Sequence, residues 1–198
     1  MRTIQLFLKR GIDFLISLFC TVLLLPIFAL ISLFIVLESK GSPVFKQERI
    51  GKDGKIFKVY KFRTMVQNAE KLGNGLFVYD ETDTRITKVG KILRKTSLDE
   101  LPQLFNVLKG EMSIIGPRPP VVYHPYDGYD NYPKEYQKRF SMRPGITGLA
   151  QVRLRNSAGW DERIKLDIQY VEKYNILMDI KIFFQTFFAM LYSETYTE

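Results

Sequence analysis

The chain has 198 residues, of which 29 are lysine or arginine and 21 are aspartate or glutamate, so its formal net charge is +8. This length suits one domain with an appendage, and the positive charge favours anionic partners such as phosphates, nucleic acid or acidic lipid without choosing among them. A single cysteine, Cys20, and a single histidine, His124, exclude a disulfide framework and a Cys/His zinc site, so any metal would need oxygen ligands, as Mg²⁺ does.

The first predicted element is a membrane helix. No charged residue occurs from 14 to 37, and this run exceeds the roughly 20 residues that a helix needs to cross the hydrocarbon core. It lacks the form of a signal peptide, so we expect it to be retained; a buried core helix is the alternative. Basic residues flank both ends, so the positive-inside rule gives no direction. Entry and exit by the same face, with a bend near Pro26, would satisfy both flanks, although proline also occurs in spanning helices.

The next segment predicts a β-hairpin and a loop. Two stretches of extended character, Val44–Ile50 and Ile56–Phe62, are joined by a turn that contains Asp53 and Gly54, and an Asp-Gly pair is a strong hairpin signal. Residues 68–85 lack periodicity and are rich in glycine, aspartate and threonine. We expect a surface loop there, which either folds over a site or is passive.

Helical patterns dominate the second half of the chain. Charged segments at 134–140 and 160–174 predict helices, and the segment 176–192 is apolar with many aromatic side chains. The last pattern indicates either a helix in the membrane interface or ordinary core packing. The predicted fold class is α+β. Residues 1–40 form a membrane-embedded helix, and residues 41–198 form a small, mostly helical domain with a short β-hairpin and interfacial amphipathic helices.

Two adjacent carboxylates, Asp99 and Glu100, lie in the segment Ser97–Pro120, which cations bracket on both sides. Ser97 and Glu100 fit a capping box, or Asp99 caps a helix that tolerates Pro102 in its first turn. A helix start also has chemical value, because its free N–H groups keep a carboxylate ionised. An ionised aspartate can act as a nucleophile on phosphorus.

Attack on a diphosphate requires neutralised phosphate charge, and Lys61, Arg94, Arg118 and Arg143 are candidates for this role. Arg118 is the most constrained, since the prolines on either side restrict its backbone. The segment 143–152 carries Gly145 and Gly148, which suit either a phosphate contact or a tight turn at the start of a strand.

These segments together resemble the bacterial sugar transferase family, the monotopic polyprenyl-phosphate phosphoglycosyl transferases. The resemblance covers nearly the whole chain. It is carried by the basic and apolar N-terminus, Tyr60–Met65 (YKFRTM), Ser97–Pro119, Arg143–Gln151, and the downstream residues Arg155, Asn156, Trp160, Asp167 and Tyr170.

The resemblance implies a ping-pong reaction on a UDP-sugar. The residue that matches the family's nucleophile, Asp99, would attack the β-phosphate, release UMP and become a phosphosugar ester, which undecaprenyl phosphate then accepts. Asp99 would also contact Mg²⁺, and Glu100 would assist as its partner. Five basic residues would bind substrate, the first three at the phosphates: Lys61, Arg94, Arg118, Arg143 and Arg155. This reaction would be the first membrane step of glycan assembly.

The resemblance also implies a location and partners. The family's apolar helix re-enters the membrane at a Ser-Pro break, which leaves both ends in the cytoplasm and the catalytic domain on the cytoplasmic face of the bacterial inner membrane. Here the pair is Leu25-Pro26, and Arg153-Leu154 replaces the family's usual Asn-Gly. Membrane lipid is an expected partner and a homodimer is open. Nucleic acid is not expected, because the chain has no recognisable nucleic-acid-binding motif.

Two other functions are open at this stage. A membrane adaptor that binds anionic lipid or nucleic acid would explain the positive charge but not the carboxylate pair. An ordinary glycosyltransferase would release UDP instead of UMP. The transferred sugar is also open among galactose, glucose and N-acetylated hexoses.

Overall fold

The computed structural model describes residues 2–69, 72, 83–154 and 159–192. Residues 190–192 are described by their backbone alone. The described part combines α-helices with two small sheets, as the predicted α+β class requires. The elements, in chain order, are α1 (Arg2–Glu38), β1 (Val44–Ile50), β2 (Ile56–Phe62), α2 (Lys88–Lys95), α3 (Gln103–Lys109), β3 (Ser113–Ile115), α4 (Lys134–Gln137), β4 (Gly145–Thr147), α5 (Leu149–Leu154), α6 (Trp160–Glu172) and α7 (Ile176–Tyr192).

The predicted hairpin is confirmed, with the bounds that the sequence indicates. Strands β1 and β2 pair antiparallel from Val44 opposite Phe62 to Ile50 opposite Ile56. The turn places Asp53 at φ 55° and Gly54 at φ 78°. Two consecutive residues with positive φ match the twist of a tight hairpin turn, which explains the Asp-Gly pair. Lys61 is the next-to-last residue of β2.

The second sheet joins the segment that carries Gly116 to the 143–152 segment. Strands β3 and β4 pair parallel, with Ser113 opposite Gly145 and Ile115 opposite Thr147. A Cβ atom at Gly145 would lie 2.7 Å from the Cα atom of Gly116, and one at Gly148 would clash with the carbonyl oxygen of Gly116. The two glycines of the 143–152 segment are therefore needed for close backbone packing on Gly116, and neither has the positive φ of a glycine turn. A phosphate contact of this segment stays a prediction.

Helix α1 is continuous from Arg2 to Glu38 and includes Pro26, so the expected break is not seen as an interruption of the helix. Within the described residues it is the one helix long and apolar enough to cross a membrane. From Lys9 to Thr21 its polarity is reversed relative to a helix of a water-soluble protein, because the buried residues there are four polar side chains spaced by four: Lys9, Asp13, Ser17 and Thr21. Large apolar side chains cover the outward surface.

Both halves of α1 contact the rest of the domain. In the first half, the Lys9 Nζ atom lies 2.7 Å from Asp179 Oδ2, and the Ser113 hydroxyl donates to Asp13 at 2.5 Å. In the second half, the Phe28 ring meets the Phe62 ring edge-on, with centroids 5.6 Å apart. Re-entry into the membrane stays a prediction, but the domain touches α1 near both of its ends.

The core lies between α1 and the elements that carry the carboxylate pair. Phe28, Ile31 and Ile35 of α1 pack with Phe62, Leu93 and Leu104, which belong to β2, α2 and α3. A second cluster joins β3 to α6 and α7 through Ile115, Tyr170 and Ile182. The helices predicted at 160–174 and 176–192 are thereby confirmed as elements. The 134–140 segment forms α4 and then a 3₁₀ turn at Lys138–Ser141.

Helix α7 has one buried and one exposed apolar face. Ile182 is 1% exposed, whereas four phenylalanines, Phe183, Phe184, Phe187 and Phe188, are 50–55% exposed. Core packing therefore accounts for one face of α7 only. An interfacial position for the other face stays a prediction.

Candidate active site

The carboxylate pair lies in a 3₁₀ turn and not at a helix start. Ser97, two residues after the end of α2, adopts a left-handed conformation (φ 55°, ψ 17°), and its side chain makes no capping hydrogen bond. The turn covers Leu98–Glu100, and α3 begins only at Gln103, with Pro102 at its N-cap position. The expected capping box of Ser97 and Glu100 is therefore wrong, as is the expectation that Asp99 caps this helix. Burial and neighbouring charges, and not a helix terminus, shift the pKa values of the pair.

Glu100 is held between two cations from distant elements. Its Oε1 atom accepts a hydrogen bond from Lys61 Nζ at 2.9 Å and lies 3.3 Å from Arg118 Nη2. Burial alone would raise the pKa of Glu100, but the charges of Lys61, Arg118 and Arg49 outweigh it and lower this pKa to about 2. Glu100 is therefore a fixed anion at neutral pH. Burial in turn lowers the pKa of Lys61, although Glu100 opposes this shift.

Asp99 has the opposite electrostatic situation. Its side chain is buried, with the residue 9% exposed, and burial raises the pKa of its carboxyl group. Lys61 and Arg94 oppose the shift, whereas Glu100 adds to it. The sequence led us to expect a site that favours the ionised form, and the structure instead makes Asp99 the more basic of the two carboxylates. Two neighbouring carboxyl groups with pKa values pushed apart can take different chemical roles.

Arg94 reaches the site because α2 packs closely on the end of β2. A Cβ atom at Gly90 would lie 2.8 Å from Thr64 Cα and would clash with the Thr64 carbonyl oxygen. Glycine permits this approach, and Arg94 Nε donates to Thr64 Oγ1 at 3.0 Å. The charge of Asp99 also acts on Arg94, where it opposes the lowering of the Arg94 pKa by burial. Arg94 is thus fixed beside the carboxylate pair.

Arg118 belongs to a proline-rich turn whose carbonyl groups are held by two other arginines. Arg49 Nη1 donates to the Pro119 carbonyl at 2.9 Å, and Arg139 Nη2 donates to the Arg118 carbonyl at 2.8 Å. The backbone N–H of Ile50 donates to the Pro120 carbonyl at 3.0 Å. The prolines thus restrict the turn, and these contacts fix its position.

Sequence reasoning missed both of these arginines. Arg139 is 1% exposed and pairs with Asp167, also 1% exposed, at 2.5 Å. Burial raises the pKa of Asp167 to about 6, although Arg139 opposes the shift. The spacing of Asp167 from buried Ile164 and Val171 would have placed this aspartate on the inner face of α6. No comparable pattern marks Arg49, whose contact with the turn spans 70 residues.

The remaining predicted site residues are not brought to the pair by the described contacts. Arg143 Nε donates to the Gly110 carbonyl at 2.7 Å, just after the last residue of α3, whereas Asp99 precedes the first. Its substrate-binding role stays a prediction. Arg155 lies outside the described residues, as does most of the predicted loop at 68–85.

The donor set of the site suits a magnesium ion shared with a substrate. Among the described residues, no three acidic, histidine or cysteine side chains lie together so that they could hold a metal ion by themselves. Mg²⁺ is commonly bound by one or two carboxylates together with substrate phosphates and waters. Asp99 can supply such a carboxylate, since Glu100 is already engaged by Lys61 and Arg118. The residues present are therefore compatible with the predicted ion.

Comparison with known proteins gives consistent matches. The family described as bacterial sugar transferase matches residues 4–193. The chain is 44% identical over 180 residues to galactosyl transferase CpsE of Streptococcus agalactiae serotype III, covering 84% of this chain and 39% of that protein. It is 41% identical over 197 residues to UDP-glucose:undecaprenyl-phosphate glucose-1-phosphate transferase of Klebsiella pneumoniae, covering 93% and 40%.

A third relative is UDP-N-acetylgalactosamine-undecaprenyl-phosphate N-acetylgalactosaminephosphotransferase of Aeromonas hydrophila. It is 41% identical over 191 residues, which cover 95% of this chain and 44% of that protein. The chain thus spans less than half the length of these three relatives. Their names refer to three different sugars, so the likeness does not select one.

Proposed function

Because this chain belongs to the bacterial sugar transferase family, we propose that it transfers a sugar-1-phosphate from a UDP-sugar to undecaprenyl phosphate through a covalent intermediate on Asp99. The observation that carries the proposal is the buried pair Asp99 and Glu100, with Lys61, Arg94 and Arg118 around it, in a chain that also has a long apolar helix. The names of the relatives from Klebsiella pneumoniae and Aeromonas hydrophila specify undecaprenyl phosphate, which supports this acceptor.

In the first step a carboxylate oxygen of Asp99 attacks the β-phosphorus of the UDP-sugar. A new O–P bond forms, and the bond from the β-phosphorus to the oxygen that bridges the two phosphates breaks. UMP leaves with that oxygen and with the negative charge. The raised pKa of Asp99 favours this role, because a more basic carboxylate is the better nucleophile once it is ionised.

The cations lower the cost of bringing an anionic donor to an anionic nucleophile. Lys61, Arg94 and Arg118 come from three elements and surround the pair, where they can neutralise charge on the diphosphate. Glu100 keeps Lys61 and Arg118 in place through its two ion pairs. Its lowered pKa suits this role, since an anion that stays ionised can orient cations throughout the reaction.

In the second step a phosphate oxygen of undecaprenyl phosphate attacks the phosphorus of the intermediate. The bond between Asp99 and phosphorus breaks, the carboxylate is regenerated, and the product is an undecaprenyl diphosphate sugar. Asp99 is the residue that would hold Mg²⁺, and the ion would supply Lewis-acid neutralisation of phosphate charge. Such a reaction provides the first lipid-linked sugar for a polysaccharide or glycoconjugate.

The direct test is release of UMP by the purified protein with Mg²⁺, undecaprenyl phosphate and a panel of UDP-sugars. Asp99→Asn should abolish turnover and remove the mass increase of one phosphosugar from the intact protein. Asp53→Asn, in the exposed hairpin turn, is the matched control and should keep both. A near-normal rate for Asp99→Asn would refute the nucleophile. UDP in place of UMP would indicate an ordinary glycosyltransferase.

We also propose that α1 re-enters the inner membrane, so that the domain lies on its cytoplasmic face. The contacts of Lys9 with Asp179 and of Phe28 with Phe62 support this topology, because both halves of α1 then meet one domain. The outward apolar surface of α1 and the exposed phenylalanines of α7 would face lipid.

Topology can be tested by labelling engineered cysteines at Thr3 and Ser42 in intact cells. Equal accessibility is expected, and opposite-side labelling would establish a spanning helix. The homodimer and the interfacial role of α7 stay predictions.

A further inference from the structure

Arg49 is fixed beside the proline-rich turn of the site, yet it belongs to the hairpin. Arg49 is paired with Phe57 of β2 and also forms an isolated antiparallel bridge with Val121. The next residue, Ile50, donates its backbone N–H to the Pro120 carbonyl. The hairpin and the turn that carries Arg118 are therefore joined edge to edge at Arg49.

The guanidinium group of Arg49 is held by three hydrogen bonds. Nε and Nη2 donate to Oε1 of Gln47 at 3.0 and 2.6 Å, and Nη1 donates to the Pro119 carbonyl at 2.9 Å. Gln47 is two residues away on the same strand, so both side chains project from the same face of β1. A planar group fixed at two of its edges has a defined position, and Arg49 holds the turn next to Arg118 through it.

The charge of Arg49 also enters the site. Burial and the neighbouring charge of Arg118 lower the pKa of Arg49 to about 10, whereas Glu100 opposes this shift. Arg49 is among the cations that lower the pKa of Glu100. Two arginines that repel each other are thus placed around one carboxylate. Arg118 makes the direct contact with Glu100, and Arg49 is bonded to the backbone behind it.

We propose that Arg49 is a positioning residue for the transfer reaction, which it serves by holding the Arg118 turn against Glu100. This inference rests on the proposed function. Arg49 uses its hydrogen bonds on Gln47 and Pro119, so it acts through Arg118 and not as a catalytic residue. Removal of Arg49 should let the turn move, and the Arg118 guanidinium would then no longer meet the diphosphate in a fixed position.

The test is a double-mutant cycle on UMP release by the full chain in detergent, with the best UDP-sugar of the donor panel. We expect Arg49→Gln to lower kcat/KM by about 10- to 100-fold, as displacement of a positioned group by about an ångström can do. If Arg49 acts through Arg118, the double variant Arg49→Gln with Arg118→Gln should match Arg118→Gln alone within about twofold. A purely structural role for Arg49 would not produce this coincidence.

Two further variants keep the test decisive. Gln47→Ala removes two hydrogen bonds of Arg49 but leaves the arginine in place, so it should lower kcat/KM less than Arg49→Gln does. In a protein that already carries Arg118→Gln, adding Gln47→Ala should lower kcat/KM no further. If thermal unfolding shows that Arg49→Gln does not fold, Gln47→Ala replaces it in the double-mutant cycle with Arg118→Gln. Lys58→Gln, which removes an exposed cation from the same hairpin, is the matched control and should keep the normal rate.

The outcomes separate the two proposals. Wild-type protein that releases no UMP would refute the proposed function, whatever Arg49 does. An active wild type with a normal rate for Arg49→Gln would overturn only the inference about Arg49. Losses that multiply in the double variant would also overturn it, because Arg49 would then act independently of Arg118.

Discussion

The ion pairs of Glu100 should make a measurable, pH-dependent contribution to stability. The pKa of this carboxyl group is about 2 in the folded chain against an ordinary value of 4.5. A pKa lowered on folding stabilises the protein above the unfolded value and loses that effect as the pH falls through the folded value. The shift corresponds to a contribution on the order of 3 kcal/mol at pH 7, of which roughly half is lost by pH 3.

The assay compares the wild type with Glu100→Gln by chemical unfolding in detergent micelles from pH 7 to pH 3. The free energy of unfolding of the wild type should exceed that of the variant at pH 7, and the difference should shrink steadily below pH 4.5. Glu48→Gln, an exposed change on the hairpin, should give a difference that varies little with pH. A difference between wild type and Glu100→Gln that stays constant, or grows as the pH falls, would refute the assignment of Lys61 and Arg118 as the cause.

Two substitutions test how the site is positioned. Gly90→Ala should lower the free energy of unfolding by roughly 1–3 kcal/mol and reduce UMP release, because α2 must move away from Thr64 and take Arg94 with it. The control is Gly11→Ala, which should be neutral or slightly stabilising, because a Cβ atom there meets nothing within 4 Å. Asn106→Ala should cost roughly 2–4 kcal/mol in thermal or chemical unfolding, since the Asn106 amide satisfies one N–H and one C=O group of β2. An Asn106→Ala protein as stable as the wild type would contradict this account of the strand that carries the site lysine.

The sequence predicts best those elements whose information is local. The hairpin bounds follow from an Asp-Gly turn between two extended segments, and α7 follows from its apolar run, so both are confirmed to the residue. The capping box failed because a local S-x-x-E pattern does not reveal that Ser97 adopts a left-handed conformation. Helix α2, which precedes that turn, packs on Thr64 just after β2. Such contacts between distant parts of the chain cannot be predicted from a local pattern.

The site itself could be predicted in part. Lys61, Arg94 and Arg118 were singled out, and the structure brings all three to the carboxylate pair from separate elements. Arg49 was missed because it acts on a backbone carbonyl, and such contacts leave no pattern in one sequence. The difference in pKa between Asp99 and Glu100 could not be predicted from the sequence either, since it depends on burial and on which cation lies nearest to which carboxylate.

The buried polar side chains of α1 between Lys9 and Thr21 have a consequence for the order of biosynthesis. Asp13 and Lys9 find their partners Ser113 and Asp179 at sequence separations of 100 and 170 residues. The ribosome therefore releases α1 long before Ser113 and Asp179 exist, when Lys9 and Asp13 have only each other as charged partners. Charged side chains are costly within lipid, so this face should stay near water until α7 has been synthesised. Helix α1 would then reach its final depth in the membrane only after α7 has been synthesised.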